Sequence, residues 1–291
     1  MFTLLTQTAK CSNNFAHSSG IGPGPGDLDD DMDAVRNDRA PLVVVTGGLG
    51  RVATVLLPWL RKHYRLRLVD RATPTAPTDE VVQADIGDPE AAYRVFAGAD
   101  AVLHLAANSS PWQTWDSVYA ANVRTTQVVL ESAAAHGVPK LVLASSLHAL
   151  GEYNRPAHWP VDPRLDPRPY GQHGLGKVVL EVLGRTHAER TGASVTCLRL
   201  GLTGWAPTER RYLGQWLSDD DAGRLVLAAL QTGERYGVHF GVSANTRNHW
   251  DITSARHELG YRPEDDSEAL ADQAGPSSGP VCRLFDPETS D

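Results

Sequence analysis

The sequence has few cysteines, and the three it has are far apart. Cys11, Cys197 and Cys282 form no C-x-x-C pair in a chain of 291 residues. Disulfide scaffolds and cysteine-based metal sites need several closely spaced cysteines, so neither is expected, and we predict no metal centre. This cysteine usage is typical of reduced thiols and predicts a cytoplasmic protein.

Long hydrophobic runs and basic clusters are also missing. No apolar stretch approaches the roughly 20 residues of a membrane span. The formal net charge is −8 and the basic residues are scattered, which excludes a nucleic-acid-binding surface as the main function. The apolar N-terminal residues 1–5 lack a basic flank, so we predict no signal peptide.

The first 40 residues contain little that could form a core. They are rich in Ser, Asn, Gly and Pro, and residues 27–33 form an acidic run. Such a segment buries too little apolar surface to offset the entropy of folding. We therefore predict a disordered leader over residues 1–40.

The most informative stretch follows this leader. Residues 42–46 are mainly β-branched and predict a buried strand, and apolar residues at helical spacing begin at Val52. Gly47, Gly50 and Ala53 lie between them as G-x-x-G-x-x-A. A glycine turn before a helix leaves backbone N–H groups and the helix dipole facing one point, which suits a pyrophosphate.

A second strand, residues 64–70, supports a dinucleotide. It ends in Asp70, 23 residues after Gly47, where an acid accepts hydrogen bonds from a ribose and repels a 2′-phosphate. The predicted cofactor is therefore NAD.

Strands and helices alternate along the next 130 residues. The pattern predicts strands at 81–85, 101–105, 140–144 and 194–200, and helices at 89–97, 115–136 and 174–191. Alternation of this kind predicts an α/β fold with a Rossmann-like doubly wound parallel sheet, whose ligands lie at the carboxyl ends of the strands. We assign the NAD-binding domain to residues 41–201, a small C-terminal substrate lobe to 202–273 and a loose tail to 274–291.

Several motifs resemble those of the extended short-chain dehydrogenases/reductases, the NAD-dependent epimerase/dehydratase family. They lie at residues 47–53, 70, 85–86, 104–107 and 144–146. Segments 145–148, 168–177, 215–220 and 241–246 are most similar to NAD-dependent uronate dehydrogenases. The resemblance implies cofactor contacts from Gly47, Leu49, Gly50, Arg51, Val52, Asp70, Asp85, Ile86, Leu105, Ala106, Ala107, Asn122 and Lys177.

The resemblance also implies catalytic and substrate-binding residues. Ser146 and Lys177 match the family's serine and lysine, while Ser109 and Arg211 would contact the substrate. His148, just beyond the Ser146 turn, is a further candidate acid or base at the substrate site. Arg211 would pair bidentately with a carboxylate, unless it is a solvated surface charge beside another arginine.

Three positions depart from the uronate dehydrogenases. The family's Tyr-x-x-x-Lys helix removes the hydroxyl proton with tyrosine, but His173 stands four residues before the lysine. Leu147 replaces an asparagine, and Leu202 replaces a substrate-binding serine. The polar contacts of the implied pocket therefore differ from those of the family.

Three interpretations of His173 follow. It is the base, since it shares a helix face with Lys177, whose charge would keep the imidazole neutral. Alternatively Tyr170, one turn earlier, takes that role. In the third interpretation the protein is a sugar epimerase or lyase that retains NAD, or a non-catalytic NAD-binding protein.

The leading prediction is an NAD-dependent oxidoreductase. It would act on a hydroxyl or hemiacetal carbon of a small sugar acid or related polyol. The helix around residues 177–183 is apolar on more than one face, which predicts a homodimer or higher homo-oligomer.

Overall fold

A computed structural model of the chain describes residues 40–73, 79–109 and 113–277. Residues 1–39 of the predicted leader and residues 278–291 of the predicted tail lie outside the described residues. Within the described part of the chain, no helix is both long and apolar enough to cross a membrane.

The described residues form nine strands in two parallel sheets. The main sheet has seven strands in the order β3-β2-β1-β4-β5-β6-β9, and β7 and β8 form a small second sheet. The strands are β1 Leu42–Thr46, β2 Arg65–Asp70, β3 Glu80–Gln83, β4 Ala101–His104, β5 Lys140–Ser146, β6 Ser194–Leu200, β7 Leu202–Thr203, β8 Trp216–Leu217 and β9 Tyr236–Gly241.

In the part of the chain that the structure describes, six α-helices connect the strands, with short 3₁₀- and π-helical segments between them. The α-helices are α1 Arg51–Leu60, α2 Pro89–Val95, α3 Trp115–Val118, α4 Thr125–Ala135, α5 Gly171–Thr191 and α6 Asp219–Gln231. The 3₁₀ segments are Leu147–Tyr153, Pro156–His158, Arg210–Gln215 and Ser267–Leu270, and the π segments are Tyr119–Arg124 and Ala255–Leu259.

Helices cover both faces of the main sheet, which explains why its strands are apolar throughout. Strand β1 is buried at all five positions. Val43 and Val45 pack into one core with α1 and α6, while Val44 packs into the other core with α2, α4 and α5. A parallel sheet buried on both faces is the doubly wound arrangement, and the predicted fold class is confirmed.

The helix predicted at residues 115–136 contains a π-helical turn. Helix α3, the π segment Tyr119–Arg124 and α4 follow one another without a break. Thr114 caps the start by accepting a hydrogen bond from the N–H of Ser117, and Gly137 follows the end with φ +63°. The π turn places Asn122 inside the protein, where it is buried.

The main sheet extends beyond the predicted domain boundary at residue 201. Strand β9 pairs in parallel with β6 from Val195 to Leu200, and α6 packs against α1. Helix α6 buries Leu225, Val226 and Ala229 in the same core as α1. Residues 219–241 therefore complete the nucleotide-binding layers, because β6 would otherwise leave its backbone N–H and C=O groups unpaired. What remains outside these layers is mainly β7, β8 and their connections.

Candidate active site

Two adjoining cavities lie at the carboxyl ends of the main strands. We call them the Asp70 cavity and the His173 cavity. The predicted residues that line the Asp70 cavity are Gly47, Gly50, Asp70, Asp85, Ile86, Leu105, Ala106 and Ala107. Those that line the His173 cavity are Gly47, Gly50, Arg51, Val52, Leu105, Ala107, Ser109, Ser146, His148, His173 and Lys177.

The glycine turn between β1 and α1 borders both cavities. Gly47 has φ +68°, and a Cβ atom at this position would lie 2.8 Å from the backbone nitrogen of Ala106. The N-cap of α1 is Gly50, no side chain caps the helix, and its first turn contains no acid. These features fit the diphosphate of NAD, since the helix dipole and first-turn N–H groups attract an anion.

Asp70 lies at the end of β2 and is fixed by the turn. Its carboxylate accepts hydrogen bonds from the N–H groups of Leu49 and Ala72, each at 3.1 Å. Leu49 thus acts through Asp70 and lines neither cavity within the described residues. A carboxylate anchored at this edge fits the ribose hydroxyls of NAD.

Asn122 binds the backbone after β4 instead of lining a cavity. Its Oδ1 accepts from the N–H of Asn108 at 2.8 Å, and its Nδ2 donates to the carbonyl of Asn108 at 3.1 Å. The resemblance implied a cofactor contact for this residue. The described contacts of its amide are with this loop, and the cofactor contact stays a prediction.

Helix α5 presents His173, Lys177 and Glu181 on one face, at successive spacings of four residues. The ammonium of Lys177 is buried and donates to the carbonyl of Ala144 at 2.6 Å. Burial lowers the pKa of Lys177 to about 8, although the Glu181 carboxylate opposes this change. The lysine therefore carries its charge at neutral pH.

Two neutral histidines face each other in the His173 cavity. The rings of His148 and His173 lie 5.8 Å apart, centroid to centroid, and are nearly perpendicular. Burial and then the charge of Lys177 lower the pKa of His173 to about 3, and burial lowers the pKa of His148. Within the described part of the chain, Nδ1 of each ring is buried without a hydrogen-bond partner.

Tyr170, the alternative base, packs against His148, with the two ring centroids 6.1 Å apart. It is 4% exposed, and it does not line the His173 cavity among the described residues. A Cβ atom on Gly151 would overlap its side chain, so that glycine makes room for the tyrosine. The start of α5 turns the phenol into the core beside the segment Leu147–Tyr153.

The predicted substrate contacts are only partly brought together. Ser109 and His148 line the His173 cavity together with Leu147 and Leu202. Arg211 is not among its described lining residues. Its guanidinium pairs with Glu209 at 2.8 Å, and the contact of Arg211 with a substrate carboxylate stays a prediction.

Glu181 is a buried residue near the site that the sequence analysis missed. Its carboxylate accepts from Ser145 Oγ at 2.6 Å and forms two hydrogen bonds with Arg199, at 2.8 and 2.7 Å. The spacing of four residues from Lys177 was the only signal in the sequence. Its partners come from β5 and β6, which no local pattern identifies.

Three further residues form a cluster at the edge strand β9. His239 Nε2 lies 2.9 Å from a carboxylate oxygen of Glu234 and 3.9 Å from one of Glu258. One nitrogen or oxygen atom from each of the three side chains lies within 4.8 Å of the other two, which is close enough for them to bind one metal ion together. The hydrogen bond between Glu234 and His239 accounts for the arrangement, and these residues line neither cavity.

Comparisons with known proteins identify relatives over most of the chain. Residues 43–203 match the model of the "NAD dependent epimerase/dehydratase family". The NAD-dependent glucose-6-phosphate dehydrogenase of Haloferax volcanii is 34% identical, covering 80% of this chain and 97% of that protein. The uronate dehydrogenase of Pseudomonas putida is 31% identical, and the match covers 86% of this chain and 92% of that protein.

A solved structure of a sugar dehydrogenase is also similar to this chain. The chain superimposes on a mutant uronate dehydrogenase from Agrobacterium tumefaciens complexed with NAD, with a TM-score of 0.75 and 30% identity. The match covers 83% of this chain and 92% of the other.

Proposed function

The chain belongs to the NAD-dependent epimerase/dehydratase family, and from this premise we propose that it oxidises a small sugar acid or related polyol. It is an NAD-dependent oxidoreductase of the extended short-chain dehydrogenase type, acting on sugars. The proposed reaction is at a hydroxyl or hemiacetal carbon. The observation that supports it is that Ser146, His173 and Lys177 line one cavity with the glycine turn.

NAD, when bound, supplies the hydride acceptor. The first turn of α1 would bind its diphosphate and Asp70 its adenosine ribose, as the geometry of these groups allows. Lys177, fixed on the carbonyl of Ala144, would donate to the second ribose. Ser146 Oγ would orient the reacting hydroxyl group.

We assign the proton-accepting role to His173. Its pKa of about 3 keeps the imidazole neutral, which a base requires, but also makes it a weak base. A weak base suffices if the proton leaves together with the hydride, because loss of hydride turns the hydroxyl into a protonated carbonyl, a strong acid. Tyr170 remains the alternative base, but it is buried and is not among the described residues that line the cavity, which favours His173.

The test compares three variants in an assay of NADH formation with a panel of sugars and sugar acids. His173→Ala should lower kcat by a factor of about 10²–10⁴, the usual contribution of a general base, and leave the Kd for NAD unchanged. Tyr170→Phe should retain activity. His173→Tyr restores the family's tyrosine and should raise the rate with the sugars that the wild type oxidises.

Each other outcome has a clear meaning. Loss of activity in Tyr170→Phe but not in His173→Ala would transfer the base to the tyrosine. Product formation with retained NAD would identify an epimerase or lyase. NAD binding without turnover on any member of the panel would identify a non-catalytic NAD-binding protein and end the oxidoreductase proposal.

We also propose that the protein is a homodimer or higher homo-oligomer. Val182 and Leu175 on α5 are 59% and 37% exposed, so this helix has apolar surface without a partner in one chain. Light scattering that finds a monomer at micromolar concentration would contradict this proposal. The cytoplasmic location stays a prediction from the sequence.

A further inference from the structure

The arginine expected to bind a substrate carboxylate already has a carboxylate of its own. Nη2 of Arg211 lies 2.8 Å from Oε1 of Glu209, and the arginine side chain is only 8% exposed. The same nitrogen donates to the hydroxyl oxygen of Tyr212 at 3.0 Å. A charge-assisted pair in a buried position is costly to break, so the guanidinium is held in this arrangement.

Tyr212, instead of Arg211, faces the cavity. The guanidinium carbon of Arg211 lies 4.8 Å from the centre of the Tyr212 ring, and Tyr212 is among the residues that line the His173 cavity. The side chain presented to a substrate at this point is therefore an uncharged phenol.

The other cations of the His173 cavity are also engaged. Among its described lining residues, only Arg51 and Lys177 carry a permanent positive charge. The guanidinium of Arg51 lies 4.3 Å from the Trp205 ring centre and Lys177 donates to the carbonyl of Ala144. His148 and His173 are neutral because burial lowers the pKa of each.

Apolar groups occupy much of the remaining wall. Leu147, Leu202 and Trp205 line the cavity beside the two histidines. A carboxylate that enters such a cavity loses water, and the two cations that line it, Arg51 and Lys177, already have partners in the protein, which disfavours binding. An uncharged sugar can place its hydroxyl groups on Ser109 and Gln215, which also line it.

From this arrangement we propose that the substrate is an uncharged sugar and that Glu209 determines this specificity by neutralising Arg211. The inference rests on the proposed function, which it narrows from sugar acids and polyols to the uncharged members. Glu209 acts through Arg211 and does not itself line the cavity among the described residues.

The first experiment uses two series of sugars that share a ring and differ only in one substituent. D-Xylose, D-glucose and D-glucuronate carry hydrogen, hydroxymethyl and carboxylate on the same ring carbon. L-Arabinose, D-galactose and D-galacturonate form the second series. Initial rates of NADH formation give kcat/KM, and calorimetry on the NAD-loaded protein gives the Kd of each sugar without requiring turnover.

We expect an uncharged sugar to exceed the uronate of its series by about tenfold or more, the usual effect of a lost charged hydrogen bond. A uronate that reacts or binds as well as its uncharged counterparts overturns the inference while leaving the oxidoreductase intact. Uncharged sugars that bind better without reacting support the inference but contradict the proposed function. Failure of all six to bind overturns the inference.

The second experiment releases Arg211 by the substitution Glu209→Gln. The ratio of kcat/KM for the uronate to that for the uncharged sugar should rise about tenfold or more, because the guanidinium loses the carboxylate that neutralises its charge. The matched control is Glu268→Gln, which removes the partner of exposed Arg247 at 2.7 Å and should leave the ratio unchanged. An unchanged ratio in folded Glu209→Gln contradicts the assignment to Glu209, and if that variant does not fold, the wild-type series decides.

Discussion

The substitution Gly47→Ala tests the glycine turn on which the NAD assignment depends. Gly47 has φ +68°, and its Cβ would lie 2.8 Å from the nitrogen and 2.9 Å from the Cα of Ala106. These are backbone atoms and cannot rotate away. Alanine at position 47 must therefore push the turn away from the end of β4 and move the N–H groups at the start of α1.

The cost can be worked out in two parts. A non-glycine residue in the left-handed region costs about 1–2 kcal/mol. Relief of the overlap with Ala106 adds about 1–3 kcal/mol, the usual cost of overpacking. We expect the free energy of unfolding to fall by about 2–5 kcal/mol, and the Kd for NAD to rise about tenfold or more as the diphosphate loses its donors.

Gly137→Ala is the matched control. Gly137 has φ +63°, but no atom lies within 4 Å of its ideal Cβ position. In this variant the free energy of unfolding should fall only by the conformational cost of about 1–2 kcal/mol, and the Kd for NAD should equal that of the wild type. Urea denaturation measures the first quantity and isothermal titration calorimetry the second. Wild-type affinity for NAD in a folded Gly47→Ala protein would refute the assignment of this turn to the diphosphate.

Further predictions concern charge. Asp70→Asn should raise the Kd for NAD about tenfold and reduce the ratio of the Kd for NADP to the Kd for NAD. An unchanged ratio in calorimetry would contradict the role of Asp70 in binding the ribose. Glu181→Gln should lower the free energy of unfolding by about 3–5 kcal/mol, as measured by urea denaturation. The double variant Glu181→Gln/Arg199→Met should recover most of this loss. Lys177 has a pKa of about 8 when folded instead of the usual 10.5, so the folded state binds fewer protons between these values and stability rises with pH. Wild type should gain about 3 kcal/mol over Lys177→Met across that range. If His173 is the base, kcat/KM should show no inflection near pH 6.5, since its pKa is about 3.

The local sequence pattern predicted the elements that bind the cofactor. A fully apolar strand, a glycine turn and an amphipathic helix follow directly in the chain, and Asp70 ends the next strand. The helix spacing also placed His173 and Lys177 on one face. Periodicity and glycine positions suffice here because these relations are set by neighbours in the sequence.

Contacts between distant segments were not predictable in this way. No periodicity indicates that β9 completes the sheet beside β6, or that the Asn122 amide binds the backbone of Asn108. The position of Tyr170 beside His148 depends on the room that Gly151 leaves.

The sequence by itself determined the doubly wound fold, the NAD-binding turn and the histidine in place of the family's tyrosine. Only the tertiary structure decided which charges are available at the site. Glu209 and Arg211 are near neighbours in the chain, yet their pairing away from the cavity depends on how the segment Arg210–Gln215 packs. Residue identity fixes the charge that a side chain carries, whereas burial and partners fix whether a ligand can reach it.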